Sequence, residues 1–248
     1  MNWESTKTSN RLRILVLGYI IRGPMGGMAW HHLQYVMGLQ RLGHEVYYLE
    51  DSGDTRYCCY DPERGVTDEN PSYGLRFAAQ IFQKTGLEQC WAYYDWHREA
   101  WCGPLSSRIH SILAGADMFL NLSCSNPVRP WLMDIPMRVL IDTDPVFTQI
   151  RNLTDPERMR LSEQHNAYFT FGENFEEPSC LIPDDGFPWK PTRQPMVLDA
   201  WPVTIGRADG KFTTVMQWES YPGREFEGRY FGQKADTFPT YFDLPKKT

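Results

Sequence analysis

Residues 13–51 read RILVLGYIIRGPMGGMAWHHLQYVMGLQRLGHEVYYLED. The apolar run over 12–19 has the pattern of a strand buried on both faces of a parallel sheet. The loop that follows holds Gly23, Pro24, Gly26 and Gly27. From about Met28 to Leu42, residues Ala29, Leu33, Val36, Met37 and Gln40 recur at helical spacing, and Gly43 ends the helix as a C-cap residue. A second strand, Glu45–Leu49, brings Glu50 and Asp51 to its carboxyl end. This unit presents a helix N-terminus and free backbone N–H groups at one edge of the sheet. That edge is where α/β proteins hold anionic ligands.

With 248 residues, 42% of them hydrophobic, the chain can bury a substantial core, and its length admits one large domain or two small ones. A net charge of −6 and a pI near 5.5 argue against a nucleic-acid backbone or an anionic membrane as the main partner. Aromatic residues make up 14%, which suits planar or carbohydrate ligands as well as ordinary core packing. No apolar run approaches the ~20 residues of a membrane span, and the polar start MNWESTKTSNR lacks the apolar core of a signal peptide. The six cysteines show no CxxC pair, and adjacent Cys58 and Cys59 make an awkward start for a disulfide framework or a zinc site. The expectation is a reduced, cytoplasmic protein with incidental thiols.

Beyond Asp51, a polar, turn-rich excursion over 52–70 leads to a helix at Gly74–Thr85. The aromatic stretch 90–101 is ambiguous. A helix at Leu105–Ala114 feeds a strand at Asp117–Ser123; a second strand, Met137–Asp142, ends in Asp142-Thr143-Asp144-Pro145. A helix at Asp155–His165, with Pro156 in its first turn, precedes a short strand at Tyr168–Phe171. The alternation predicts an α/β fold with a Rossmann-like, doubly wound parallel sheet and right-handed crossovers. Five prolines between 183 and 202 mark a composition change. The expected organisation is a flexible tail at 1–11, a Rossmann-like domain at 12–182, a Pro-rich linker at 183–211, and the start of an incomplete second domain at 212–248, opening with a strand at Phe212–Trp218.

The glycines of Gly23-Pro-Met-Gly-Gly27 let backbone approach a ligand closely, or simply turn the chain tightly. A dinucleotide fingerprint would need GxGxxG directly after the strand and an acid ~20 residues on; the signal for NAD is weak. The unit GPMGGMAWHHLQYVMGLQRLGHEV resembles the N-terminal Rossmann-like domain of GT-B glycosyltransferases, where a Gly-Gly loop follows the first strand and a GHEV-like turn enters the second. The resemblance covers motif detail over 18–51 and element order over roughly 12–195. It implies a sugar transferase using a nucleotide-sugar donor and a hydroxyl-bearing acceptor. The N-terminal domain would hold the acceptor, and a C-terminal domain most of the donor, with Gly26 and Gly27 against the donor diphosphate. It implies no cofactor and no catalytic metal.

His31 and His32 open the helix beside the loop, where a neutral imidazole would serve as general base toward an acceptor hydroxyl or hydrogen-bond the sugar. Consecutive helical residues lie about 100° apart, so at most one faces the cleft. Asp142 and Asp144 would orient or activate acceptor hydroxyls, or ligate a metal, or merely build a turn. Glu173 and Asn174, at the tip after the last strand, are candidates for acceptor contact, with a simple turn as the alternative. Ser123, Ser125 and Asn126 are weaker candidates. Trp30 and Trp131 are placed either to stack on an acceptor or to pack, and His44 is structural. The chain departs from the family pattern after 212, where no donor-pocket signature is found. The expectation is an N-terminal portion of a longer transferase, inactive by itself. The alternative is a stand-alone module binding a phosphorylated or sugar-like ligand without turnover.

Overall fold

The computed structural model describes residues 11–211, 213–216, 218 and 221–244. Contacts divide the chain into two units that meet at Val197–Leu198. The first is built in order from β1 (Arg13–Leu17), α1 (Gly26–Arg41), β2 (Glu45–Asp51), β3 (Cys59–Asp61), β4 (Val66–Asp68), α2 (Ser72–Lys84) and β5 (Trp91–Asp95). It continues with β6 (Ala100–Cys102), α3 (Ile109–Ala114), β7 (Met118–Leu122), α4 (Pro130–Met133), β8 (Met137–Asp142), α5 (Phe147–Thr154), α6 (Pro156–Glu163), β9 (Ala167–Thr170) and β10 (Lys190–Pro191). Eight of these strands form one sheet in the order β10-β9-β8-β7-β1-β2-β5-β6. All neighbours run parallel except β6, which returns antiparallel to β5. β3 and β4 form a separate hairpin.

The apolar run of β1 shows how one strand serves two faces. Ile14 and Val16 pack with Leu33 and Val36 of α1 and Ala78 and Phe82 of α2. Leu15 and Leu17 point the other way, to Ile109, Ile112 and Leu113 of α3 and Leu132 of α4. The two cores on opposite faces make the sheet doubly wound. From β1 the chain builds outward through β2, β5 and β6, then crosses back to place β7 on the other side of β1. The direction of building reverses between β1 and β7, and the carboxyl ends of these two strands border the crevice of the fold.

Several expectations are corrected. Gly26 and Gly27 form the first turn of α1 instead of a loop. The aromatic stretch 90–101 contains β5 and β6, and the excursion 52–70 contains the β3–β4 hairpin. Helix α5 goes unread in the sequence. The Pro-rich segment is not a linker from 183 on, because Trp189 and Val197 are only 4% and 5% exposed and Lys190–Pro191 pairs with β9. In the second unit the described residues carry a hairpin, β11 (Arg224–Phe226) with β12 (Arg229–Phe231), and a short helix α7 (Lys234–Thr237). The strand expected at Phe212–Trp218 is absent from its described residues; Phe212 and Gln217 lie outside them, as do residues 1–10 of the expected tail.

Candidate functional site at the carboxyl edge of the sheet

The chain leaving β1 is folded around the carboxylate of Glu50. Glu50 is 1% exposed and accepts from the N–H groups of Ile21 (2.8 Å) and Arg22 (2.6 Å) and from the Tyr48 hydroxyl (2.6 Å). Burial pushes its carboxyl up from the ordinary value, while the Arg22 guanidinium, 3.4 Å away, opposes that shift. Arg22 also donates to the Ser125 carbonyl at 2.7 Å, tying the loop after β1 to the loop after β7. Asn126 joins three strand ends: its Nδ2 donates to the Gly18 carbonyl (2.9 Å) and its Oδ1 accepts from Asp51 N–H (2.7 Å). Between these ties, Ser123 and Cys124 both adopt the left-handed conformation, with φ of 59° and 49°. Two such non-glycine residues in succession store backbone strain at the mouth of the crevice.

Asp51 binds Arg129 through two bonds, Nε–Oδ2 at 2.9 Å and Nη2–Oδ1 at 2.8 Å, and Asp54 adds a third at 2.8 Å. The guanidinium lies 3.7 Å from the centroid of the Trp96 ring. A cleft of about 530 Å³ opens beside this pair, lined by Trp96, Ser125, Asn126, Arg129, Arg158 and Arg160 among others.

Helix α1 begins at the same edge without a side-chain cap and without an acidic residue in its first turn. Its first N–H groups therefore have no partner within the helix, and no acidic side chain of its first turn offsets its dipole. Gly26 and Gly27 are exposed, and a Cβ built on either would meet no described residue within 4 Å.

The two histidines diverge, as their angular spacing requires. His32 is fully buried and lies under Gly18, where a Cβ would come within 2.1 Å of His32 Cδ2. Its Nδ1 meets the Met28 carbonyl at 2.7 Å, and its Nε2 is buried with no hydrogen-bond partner among the described residues. Burial, reinforced by the neighbouring His31, lowers its pKa to about 3, so the ring is neutral and closed off from any acceptor hydroxyl. His31 is half-buried, with its ring edge-on to Tyr35 and Phe171, and burial lowers its pKa as well. Trp30 is half-buried on α1, and Trp131 packs edge-on to Tyr94. His44 lies at the opposite edge of the sheet, where its Nδ1 accepts from Leu12 N–H at 3.3 Å.

Asp142, named as a catalytic candidate, is tied into the scaffold. It is 1% exposed, and its two oxygens accept from Asp144 N–H (2.8 Å), Thr148 Oγ1 (2.7 Å), Gln149 Nε2 (3.1 Å) and Thr170 Oγ1 (2.7 Å). Asp144 is half-exposed and lies 3.6 Å from Arg151. Val146 introduces α5 at φ 77°, a strained position for a β-branched residue, and its N–H is held by Gln149 Oε1 at 2.7 Å. Thr143 hydrogen-bonds the Ser123 hydroxyl, linking the β7 and β8 tips. Glu173 pairs with Arg193 at 2.8 Å, and Asn174 is exposed at the next tip. Among the described residues, no group of three or more His, Cys, Asp or Glu side chains is arranged to hold a metal ion, and no helix is long and apolar enough to cross a membrane.

Gly26, Gly27, His31 and Asp144 lie on elements that open at this edge, whereas His32 and Asp142 are buried. Sequence reasoning passed over Arg22 and Arg129, whose partners Glu50 and Asp51 were visible as paired acids at a strand end. No protein-family model matches the chain, and neither does any curated protein or solved structure compared with it.

Proposed function

We propose that the first unit is the acceptor-side half of a glycosyltransferase that uses a nucleotide-sugar donor, with the donor diphosphate seated on the N-terminus of α1. The observation that supports this most directly is the Gly26–Gly27 pair. Glycine in a helix costs roughly 0.5–1 kcal/mol relative to alanine. Neither position adopts a positive φ, and no described residue would crowd a Cβ there. Packing among the described residues gives no reason for two glycines, whereas a ligand brought close to bare amides does. A diphosphate suits that place, because the first-turn N–H groups and the helix dipole both favour an anion.

In this reading the acceptor lies along the same edge. His31 and Asp144 are the groups with access to take a proton from its hydroxyl as the sugar passes to it and the nucleoside diphosphate leaves. Trp30, Glu173 and Asn174 border the acceptor, and a second, Rossmann-like domain holds the nucleoside.

Calorimetric titration with pyrophosphate, uridine and guanosine diphosphates and the matching nucleotide sugars tests the reading. We expect binding that Gly27→Glu weakens by about tenfold or more, since a carboxylate would occupy the dipole's positive end. The same variant should keep or raise the melting temperature, because an acid there suits the helix. Absence of binding by every diphosphate, or binding indifferent to Gly27→Glu, would sink the proposal. Tight binding with no release of sugar from any donor, with the nucleoside-binding domain supplied, would favour the non-catalytic module instead.

A further inference from the structure

The β3–β4 hairpin carries a feature that the carboxyl-edge site does not use. Side chains of neighbouring residues on an extended chain point to opposite faces. Cys58 precedes β3 and Cys59 opens it, yet their Sγ atoms lie only 3.6 Å apart. Cys59 is 2% exposed, with its sulfur 3.5 Å from the Tyr93 hydroxyl, whereas Cys58 is half-buried. The next residue, Tyr60, donates its N–H to the Arg22 carbonyl at 3.0 Å, so the hairpin is bonded to the loop that leads to α1.

We infer that Cys58 and Cys59 are a vicinal dithiol that reacts with low-molecular-weight disulfides of the glutathione type, Cys58 as the attacking thiol and Cys59 as the resolving one. The two sulfurs differ in the way such a division of labour needs. A hydrogen bond from Cys59, helped by the nearby Arg22 charge, holds the Cys58 thiol below its ordinary pKa. The same hydrogen bond and burial push the Cys59 thiol up. Burial also raises the thiols of Cys90, Cys102 and Cys124, which makes them poorer nucleophiles.

In the first step the Cys58 thiolate attacks one sulfur of glutathione disulfide. The S–S bond breaks, and one glutathione leaves as a thiolate that takes up a proton. Cys59 then gives its proton to solvent and attacks the Cys58 sulfur, expelling the second glutathione. Two protein thiols lose two electrons, and one disulfide becomes two glutathione molecules. Adjacent Cα atoms sit about 3.8 Å apart, below the ~4.4 Å at which ordinary disulfides begin. The product is therefore strained and easily reduced again, which belongs to a reversible site and not to a structural cross-link. Closing it draws Cys59 away from Tyr93 and changes the hairpin that Arg22 anchors. None of this depends on what binds at α1.

Trypsin provides a clean readout, because the peptide Tyr57–Arg64 contains both of these cysteines and no other. The folded full chain is incubated with glutathione disulfide, quenched in acid, digested and weighed. We expect the wild-type peptide to become two hydrogens lighter. The same peptide from Cys59→Ser should become one glutathione heavier, and that from Cys58→Ser should stay unmodified over the same interval. An unmodified wild-type peptide, a glutathione adduct that accumulates without closing, or a Cys58→Ser peptide that reacts as fast as wild type would each overturn the inference.

Discussion

His32 and His165 set the acid limit of the fold. Both are buried, and burial lowers their pKa values from 6.5 to about 3 and about 4. Below pH 6.5 the unfolded chain therefore binds protons that the native state refuses, so stability is complete above that pH and is lost on acidification. Each histidine contributes up to about 1.4 kcal/mol per pH unit, and because the unfolded rings are only half protonated at pH 6.5 the pair contributes roughly 3 kcal/mol between pH 6.5 and 5. Glu50 and Asp185, whose carboxyls burial raises, act in the opposite sense as they protonate. Urea unfolding at pH 6.5 and 5 should show the loss, and His165→Gln should remove about half of the slope. A pH dependence that His165→Gln leaves unchanged would disprove the neutral-histidine account. This burial was only half legible: the HH pair on an amphipathic helix says that the two rings diverge, but not which one lies beneath Gly18.

Among the elements, those read correctly are those whose signal is local. β1, α1, β2 and β8 declare themselves through apolar runs and helical spacing. α5 did not, because it starts at Val146, a left-handed residue after Asp144-Pro145, with no capping side chain in the expected place. The helix is held instead by Asp142 at the end of β8, which bonds Thr148 and Gln149 of α5 and Thr170 of β9. No sequence pattern at 147 reveals a cap supplied from another element. Asp142→Asn should accordingly lower stability by about 2–3 kcal/mol, since it puts a donor where four donors converge. It should leave diphosphate affinity within about twofold, whereas a catalytic carboxylate would show a loss of turnover without a loss of stability. Thermal unfolding and titration of one sample separate the two. β5 escaped for a related reason: Trp91–Asp95 is buried on both faces, so no period-two pattern marks it.

For the molecule as a whole, the mis-set boundary has a measurable consequence. Prolines suggested a linker from 183, but Asp185 accepts from Asn152 (2.7 Å) and Trp189 (2.8 Å), and Val197 donates its N–H to Gln34 at 2.6 Å. Trimming the chain after Val197 should keep cooperative unfolding of the first unit within a few degrees of the full chain. Trimming after Leu181 should abolish it or lower the midpoint by 10 °C or more, on the order of the loss of a buried tryptophan and two buried polar partners. A midpoint unchanged by the second cut would contradict the packing of Asp185, Trp189 and Val197 into the first unit. One further property follows from how the large sheet ends. Its outermost strands are β6, three residues long, and β10, two residues long and finishing in Pro191, which has no N–H to offer. A foreign strand seeking to add itself would find almost no ladder to continue, so this sheet is guarded on both rims against growth into fibres by strand addition.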